Sequence, residues 1–275
     1  MILTRLQTPS GPRWAAGGRL LPAAFTLNLL LEMPAGLQAD LLNAVAAPEP
    51  AAPPAGQPLA PIGDHQEVWA SGVTFLRSRE ARQAESASGD IYQRVYTAER
   101  PELFFKASGW RVAAPGAPIR VRRDSAWNVP EPELVLLLNR AGQICGYTAG
   151  NDVSSRDIEG ENPLYLPQAK VYNGSCALGP AIVLISSEAE LNSLPIGLEI
   201  ERAGQVVFTG DASTAQMKRT FTELAAYLFR ELDFPAGAFL MTGTAIVPPE
   251  SFSLAPGDRV RVRVGELLLE NPVSR

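Results

Sequence analysis

With 275 residues, of which 46% are hydrophobic and 19% charged, the chain is globular in composition and long enough to bury a substantial core, which excludes a disordered protein. A net charge of −5 excludes general nucleic-acid binding, because neutralising phosphates needs a basic surface. No apolar stretch approaches the ~20 residues of a membrane span, and no leader peptide opens the sequence, so a cytoplasmic location without membrane contact is expected.

In chain order, two apolar patches come first, Phe25 to Leu31 and Leu37 to Ala47, the second spaced like a short amphipathic helix. The proline-rich run from Ala47 to Pro61 deters both helix and central strand. It reads as a linker, dividing a small N-terminal region, 1–61, from a main domain, 62–275. Glu67 to Phe75 is strand-like, and Arg77 to Glu99 is polar with helical tendency. From Glu133 onward β-signals dominate: 133–139, 144–149, 181–186, 196–202 and 206–210, with hairpin turns at 139–142 and Ala203-Gly204.

Residues 214–232 carry Met217, Phe221, Leu224, Ala225, Leu228 and Leu232 at three-to-four spacing, which predicts one amphipathic helix with a core-facing stripe. Near the end, Arg259, Arg261 and Arg263 alternate with Val260, Val262 and Val264, a half-buried strand with a basic outer face. Periodicity alone gives a strand-rich α+β fold. Cys145 and Cys176 lack metal-knuckle or disulfide-scaffold spacing and are expected to be buried free thiols. Only Lys106, Lys170 and Lys218 among the 24 basic residues are lysines, so each is less readily dismissed as filler.

The chemistry concentrates between Asn128 and Tyr172. Glu131 and Glu133 are two apart at the mouth of an apolar run; on a strand both leave the same face and repel. A cation between them, with Asp152 as third oxygen donor, would reverse that penalty and make an all-oxygen site suited to Mg²⁺, Mn²⁺ or Ca²⁺. The bland alternatives are glutamates at a solvated strand end and Asp152 as a turn residue.

These residues carry a resemblance. Pro-Glu-Pro-Glu-Leu at 130–134, Gly-Tyr-Thr-Ala-Gly-Asn-Asp-Val-Ser-Ser-Arg-Asp at 146–157, Lys170, Gly179-Pro180 and Gly243-Thr244 together resemble the fumarylacetoacetate hydrolase superfamily over roughly residues 66 to 273. The fuller wording at 158–170 and 242–249 is most similar to the 2-keto-3-deoxy-D-arabinonate dehydratase branch. The resemblance implies a mixed β-roll after a small N-terminal region, a homodimer, and a divalent-metal-dependent lyase acting on a 2-keto-3-deoxy sugar acid of pentonate size. It implies Glu131, Glu133 and Asp152 as metal ligands, with Lys170 as the base at C3 and Glu102 as proton donor at the leaving hydroxyl. Arg156, Gly243 and Thr244 match positions that contact the substrate, although Arg156 has a second reading as an ion-pair partner of Asp157 or Glu159.

Carbon–carbon hydrolases of that family carry a water-activating histidine paired with a glutamate just after the first strand of the catalytic domain. Here Ser78 stands at the histidine's place, Glu80 is nearby, and the single histidine, His65, precedes the strand in a loop-like Gly-Asp-His-Gln. Dehydration therefore suits the sequence better than hydrolysis of acylpyruvates or other 2,4-dioxo acids. An oxaloacetate-type decarboxylase or tautomerase and a non-catalytic sugar-acid binder remain as rivals.

Overall fold

The computed structural model describes residues 1–48, 56–85 and 89–275. Part of the predicted linker, residues 49–55, lies outside the described residues. Among the described residues, no helix is long and apolar enough to cross a membrane.

A large mixed sheet runs in the order Arg19–Leu20, Gly11–Ala16, Ile2–Thr8, Cys176–Leu184, Ile144–Asp152, Pro132–Leu138, Ala238–Met241, Glu67–Gly72 and Glu102–Ser108, with Gln57–Pro58 also paired to Ile2–Thr8. Its central strand, Pro132–Leu138, is buried at every position. That explains a continuous apolar run instead of an alternating one, because both faces are covered. Leu134, Leu136 and Leu138 enter one core, shared with Ile196, Leu198, Ile200, Val260, Val262 and Val264 of a second sheet. Val135 and Leu137 enter the opposite core with Leu27, Leu30, Leu31 and Leu42 of the N-terminal helices. The second sheet has the order Gln205–Ser213, Pro195–Arg202, Arg259–Val264, Leu267–Ser274 and Ile119–Arg120. The fold is thus strand-rich with few helices, as expected.

The N-terminal strand Ile2–Thr8 joins the large sheet through antiparallel pairing with Cys176–Leu184. The predicted turn at Ala203-Gly204 forms with both residues at positive φ, 52° and 79°, and a helix at Ala35–Val45 accounts for the second apolar patch. The helix predicted over 214–232 is shorter: a 3-10 turn spans Thr214–Gln216, the chain extends, and the α-helix covers only Phe221–Leu228. Two local demands outweigh the apolar periodicity. Thr220 Oγ1 accepts the Glu223 N–H and so caps a helix start. Arg219 is drawn away to donate to the carbonyls of Val95, Ala98 and Glu99 at the end of helix Gly89–Thr97.

Candidate active site

Strand register brings the three carboxylates together. Glu133 lies opposite Gly150 and Pro132 opposite Asn151, while the Asp152 N–H donates to the Glu131 carbonyl at 3.0 Å. Alternation then sends Glu131, Glu133 and Asp152 from the sheet face that also carries Val135. Gly150 is required here, since a Cβ would sit 2.4 Å from Val135 Cγ2. One oxygen from each carboxylate lies within 4.8 Å of the others, and all three residues are buried. Asp152 ends a nine-residue strand and is not in a turn.

Three cations balance the three acids. Lys170 Nζ donates to Glu131 Oε2 at 3.0 Å, Asp152 Oδ2 at 2.8 Å and Ser154 Oγ at 2.6 Å. Arg156 Nη2 lies 3.2 Å from Glu131 Oε1, and Lys106 Nζ lies 2.5 Å from Asp152 Oδ1. Glu133 accepts the Gly243 N–H at 2.5 Å, from a glycine at φ 90° whose Cβ would fall 2.1 Å from Thr74 Oγ1. Burial, then the charges of Asp152 and Glu131, push the Glu133 carboxyl well above its ordinary value of 4.5. A buried acid destabilised by two neighbouring acids, in an all-oxygen set, fits a hard divalent cation.

A narrow cavity opens onto this cluster, and Glu102, Lys170, Gly243 and Thr244 all line it with Glu131 and Asp152. Glu102 begins the edge strand Glu102–Ser108 and lies over Gly72, where a Cβ would meet Glu102 Oε2 at 2.0 Å. The next residue, Val73, has φ 55°. For a β-branched side chain that conformation costs on the order of 1–3 kcal/mol. Hydrogen bonds on either side hold it: Ser71 Oγ donates to the Met241 carbonyl at 2.8 Å, and Thr74 Oγ1 to the Thr242 carbonyl at 2.6 Å.

Arg156 is buried against Glu131, whereas Asp157 turns away to accept from Ser125 Oγ and the Ala126 N–H. Ser78 reaches the cavity wall but bonds to the Phe75 backbone; Glu80 is exposed beside Arg79, and His65 is exposed in a turn. No imidazole accompanies Ser78 at the place where the hydrolases activate water.

Three site residues escaped the sequence reading. Glu159, on helix Arg156–Glu161, is buried in the same cavity wall. Ser154 receives Lys170, and Lys106 grips Asp152 from behind. The scarcity of lysine was the one available signal for Lys106.

Comparison with known proteins gives the family. Residues 67–274 match the fumarylacetoacetate (FAA) hydrolase C-terminal family. A probable 2-keto-3-deoxyxylonate dehydratase of Haloferax volcanii is 48% identical over 212 residues, 77% of this chain and 73% of that protein. The 2-dehydro-3-deoxy-D-arabinonate dehydratase of Saccharolobus solfataricus is 44% identical over 217 residues, again 77% and 73% of the two chains. A solved structure of 2-keto-3-deoxy-D-arabinonate dehydratase complexed with magnesium and 2,5-dioxopentanoate superposes with TM-score 0.79 at 33% identity, covering 100% of this chain and 99% of that one. With three-quarters of its length matched and its acidic triad assembled at the end of the central strands, this chain belongs to the fumarylacetoacetate hydrolase family.

Proposed function

We propose that this protein is a divalent-metal-dependent dehydratase that removes water from a 2-keto-3-deoxy pentonate and yields 2,5-dioxopentanoate, which is 2-oxoglutarate semialdehyde. The observation that carries the reading is Lys170 Nζ within 3.0 Å of two of the three clustered carboxylates, on a cavity wall that also holds Glu102. It is supported by dehydratase relatives at 48% and 44% identity.

Glu131, Glu133 and Asp152 would hold Mg²⁺, or Mn²⁺ or Ca²⁺, in their oxygen cluster. Bound there, the ion supplies Lewis-acid stabilisation of the charge that grows on the substrate's ketone oxygen. Lys170 takes the proton from C3. An ammonium has no lone pair to take a proton, so Lys170 acts as the neutral amine, freed when its carboxylate partners are engaged elsewhere. Glu102 gives a proton to the C4 hydroxyl, which departs as water with the C4–O electron pair while the C3–H pair becomes the C3–C4 double bond. The remaining C5 alcohol and alkene tautomerise to the aldehyde, so atoms and electrons balance without an oxidant. Arg156, which rests on Glu131, and the Gly243-Thr244 turn, whose Gly243 N–H rests on Glu133, would orient the substrate's oxygens through planar N–H pairs and main-chain donors once those carboxylates are taken up by the ion.

The setting we assign is the cytoplasm, as a homodimer, checked by cell fractionation and sedimentation. The decisive assay is a panel of 2-keto-3-deoxy pentonates and hexonates incubated with Mg²⁺, with and without chelator. Expected is a semialdehyde from a pentonate, lost on chelation. Cleavage of a carbon skeleton, release of carbon dioxide, or turnover that survives exhaustive chelation would overturn the reading.

A further inference from the structure

Lys106 is fully buried, at 0% exposure, and its ammonium has three oxygen partners: Asp152 Oδ1 at 2.5 Å, the Lys170 carbonyl at 2.5 Å and the Val153 carbonyl at 3.1 Å. Two of its donors go to the carbonyls, while Asp152 Oδ1 accepts no hydrogen bond and is held by charge alone, and at 0% exposure the ammonium has no side open to a substrate. Lys170 differs, for it donates to side-chain oxygens of the acidic cluster itself and of Ser154, and it lines the cavity. Lys106 is absent from that lining. It approaches Asp152 on the oxygen that Lys170 does not touch.

Resting on the proposed reading of Glu131, Glu133 and Asp152 as metal ligands, we infer that Lys106 is a positioning residue that withholds one oxygen of Asp152 from the metal, so that the carboxylate offers a single donor and a coordination position stays open for the keto acid. Two features of the contact set support this. The Asp152 Oδ1 contact is a direct ion pair between side chains 0% and 1% exposed, so a cation arriving on the cavity side has Oδ2 to bind while Oδ1 stays held. The two carbonyl contacts tie the same ammonium to the residue after Asp152 and to the end of the helix Leu166–Lys170, fixing ligand and base at a set separation. A side chain present only to neutralise charge would not need both backbone anchors.

The inference has a signature that a merely structural role lacks. Lys106→Gln keeps a donor for the Lys170 carbonyl while removing the charge, and Lys106→Met removes both. In either variant Asp152 can turn both oxygens to the ion, so Mn²⁺, titrated into metal-free protein and followed by electron paramagnetic resonance, should bind about tenfold more tightly. With one position lost to Asp152, KM for the keto acid should rise about tenfold. A structural lysine would instead weaken metal binding and lower thermal stability together. Metal affinity unchanged or weakened, or tighter metal binding with KM unaltered, overturns the inference. A readout needing no variant is the infrared spectrum of wild-type protein carrying [¹³C]aspartate. On Mg²⁺ addition the shifted aspartate band should show the wide symmetric-to-antisymmetric splitting of single-oxygen coordination, and a narrow, chelating splitting overturns it even where both variants fail to fold. Wild-type protein that takes up no Mn²⁺ at all removes the metal reading, and this inference with it.

Discussion

Two regions of this molecule use the same residue types to opposite ends. On the outer face of the second sheet Arg261 bridges Glu199, Glu201 and Glu270 at 2.5–3.0 Å, and Arg259 joins Glu270. At the end of the large sheet Glu131 and Asp152, with Glu133 beside them, meet Lys106, Lys170 and Arg156 at comparable distances. The difference is water. Side chains of the surface network are 26–49% exposed, while those of the inner ion pairs that join Glu131 and Asp152 to the three cations are 5% or less. Desolvation alone would raise the Glu270 carboxyl, but hydrogen bonds from Arg261 and Arg259 outweigh it and hold the group below its usual range. In the inner cluster burial comes first and the neighbouring acids add to it, so Glu133 is pushed upward. Like pairings at the surface settle the charges already there; inside, they leave one acid poorly satisfied, which makes a site.

The largest effect that sharpens this contrast is on chemistry. Lys170→Met should lower kcat by roughly 10²–10⁴-fold, the range of a positioned general base. Mn²⁺ affinity should be kept or increased, since a competitor for Glu131 and Asp152 has gone. Loss of metal binding in parallel with kcat would instead make Lys170 a structural partner of the acids, and the inner cluster would then resemble the outer one.

Protonation gives the next test. A raised folded-state pKa at Glu133 means that the metal-free folded protein binds a proton the unfolded chain has released above 4.5. Its stabilising contribution is complete below that value and is lost as pH rises through the raised one. Metal affinity should climb over the same window, because a ligand must shed its proton to bind. Thermal melts in chelator should therefore fall toward alkaline pH and recover on adding Mg²⁺. A melting temperature independent of pH across that window, with and without metal, would show that Glu133 is ionised as ordinary surface carboxylates are.

How much of this was legible in the sequence depends on range. The carboxylate cluster was, because Glu131 just precedes the strand that carries Glu133 two residues on, and Asp152 ends the neighbouring strand of the same hairpin, so period and proximity point to one face. Glu102 and Lys170 were placed by their resemblance to family positions, and both line the cavity. Lys106 was not, since its role arises from an edge strand folded back beside Asp152, forty-six residues away in sequence. Nor could apolar spacing reveal that Arg219 would leave its predicted helix to cap another. Periodicity reports which face is apolar; it does not report which polar side chain a distant backbone will claim.

The smallest expected effect tests the outer member of the pair. Arg261→Ala removes three ion pairs at once, yet its side chain is 26% exposed and its partners 28–41%. Solvent screening and the entropy of three flexible glutamates leave such contacts worth about 0–1 kcal/mol each. Much of the strand's stability comes instead from Val260, Val262 and Val264 on its buried face. The variant should therefore melt within a few degrees of wild type, with a difference that shrinks as salt is added, and its kcat and metal affinity should not change. A loss as large as that of a broken buried pair, about 3–5 kcal/mol and insensitive to salt, would mean that this face is covered in solution, and exposure would no longer be what separates the two networks.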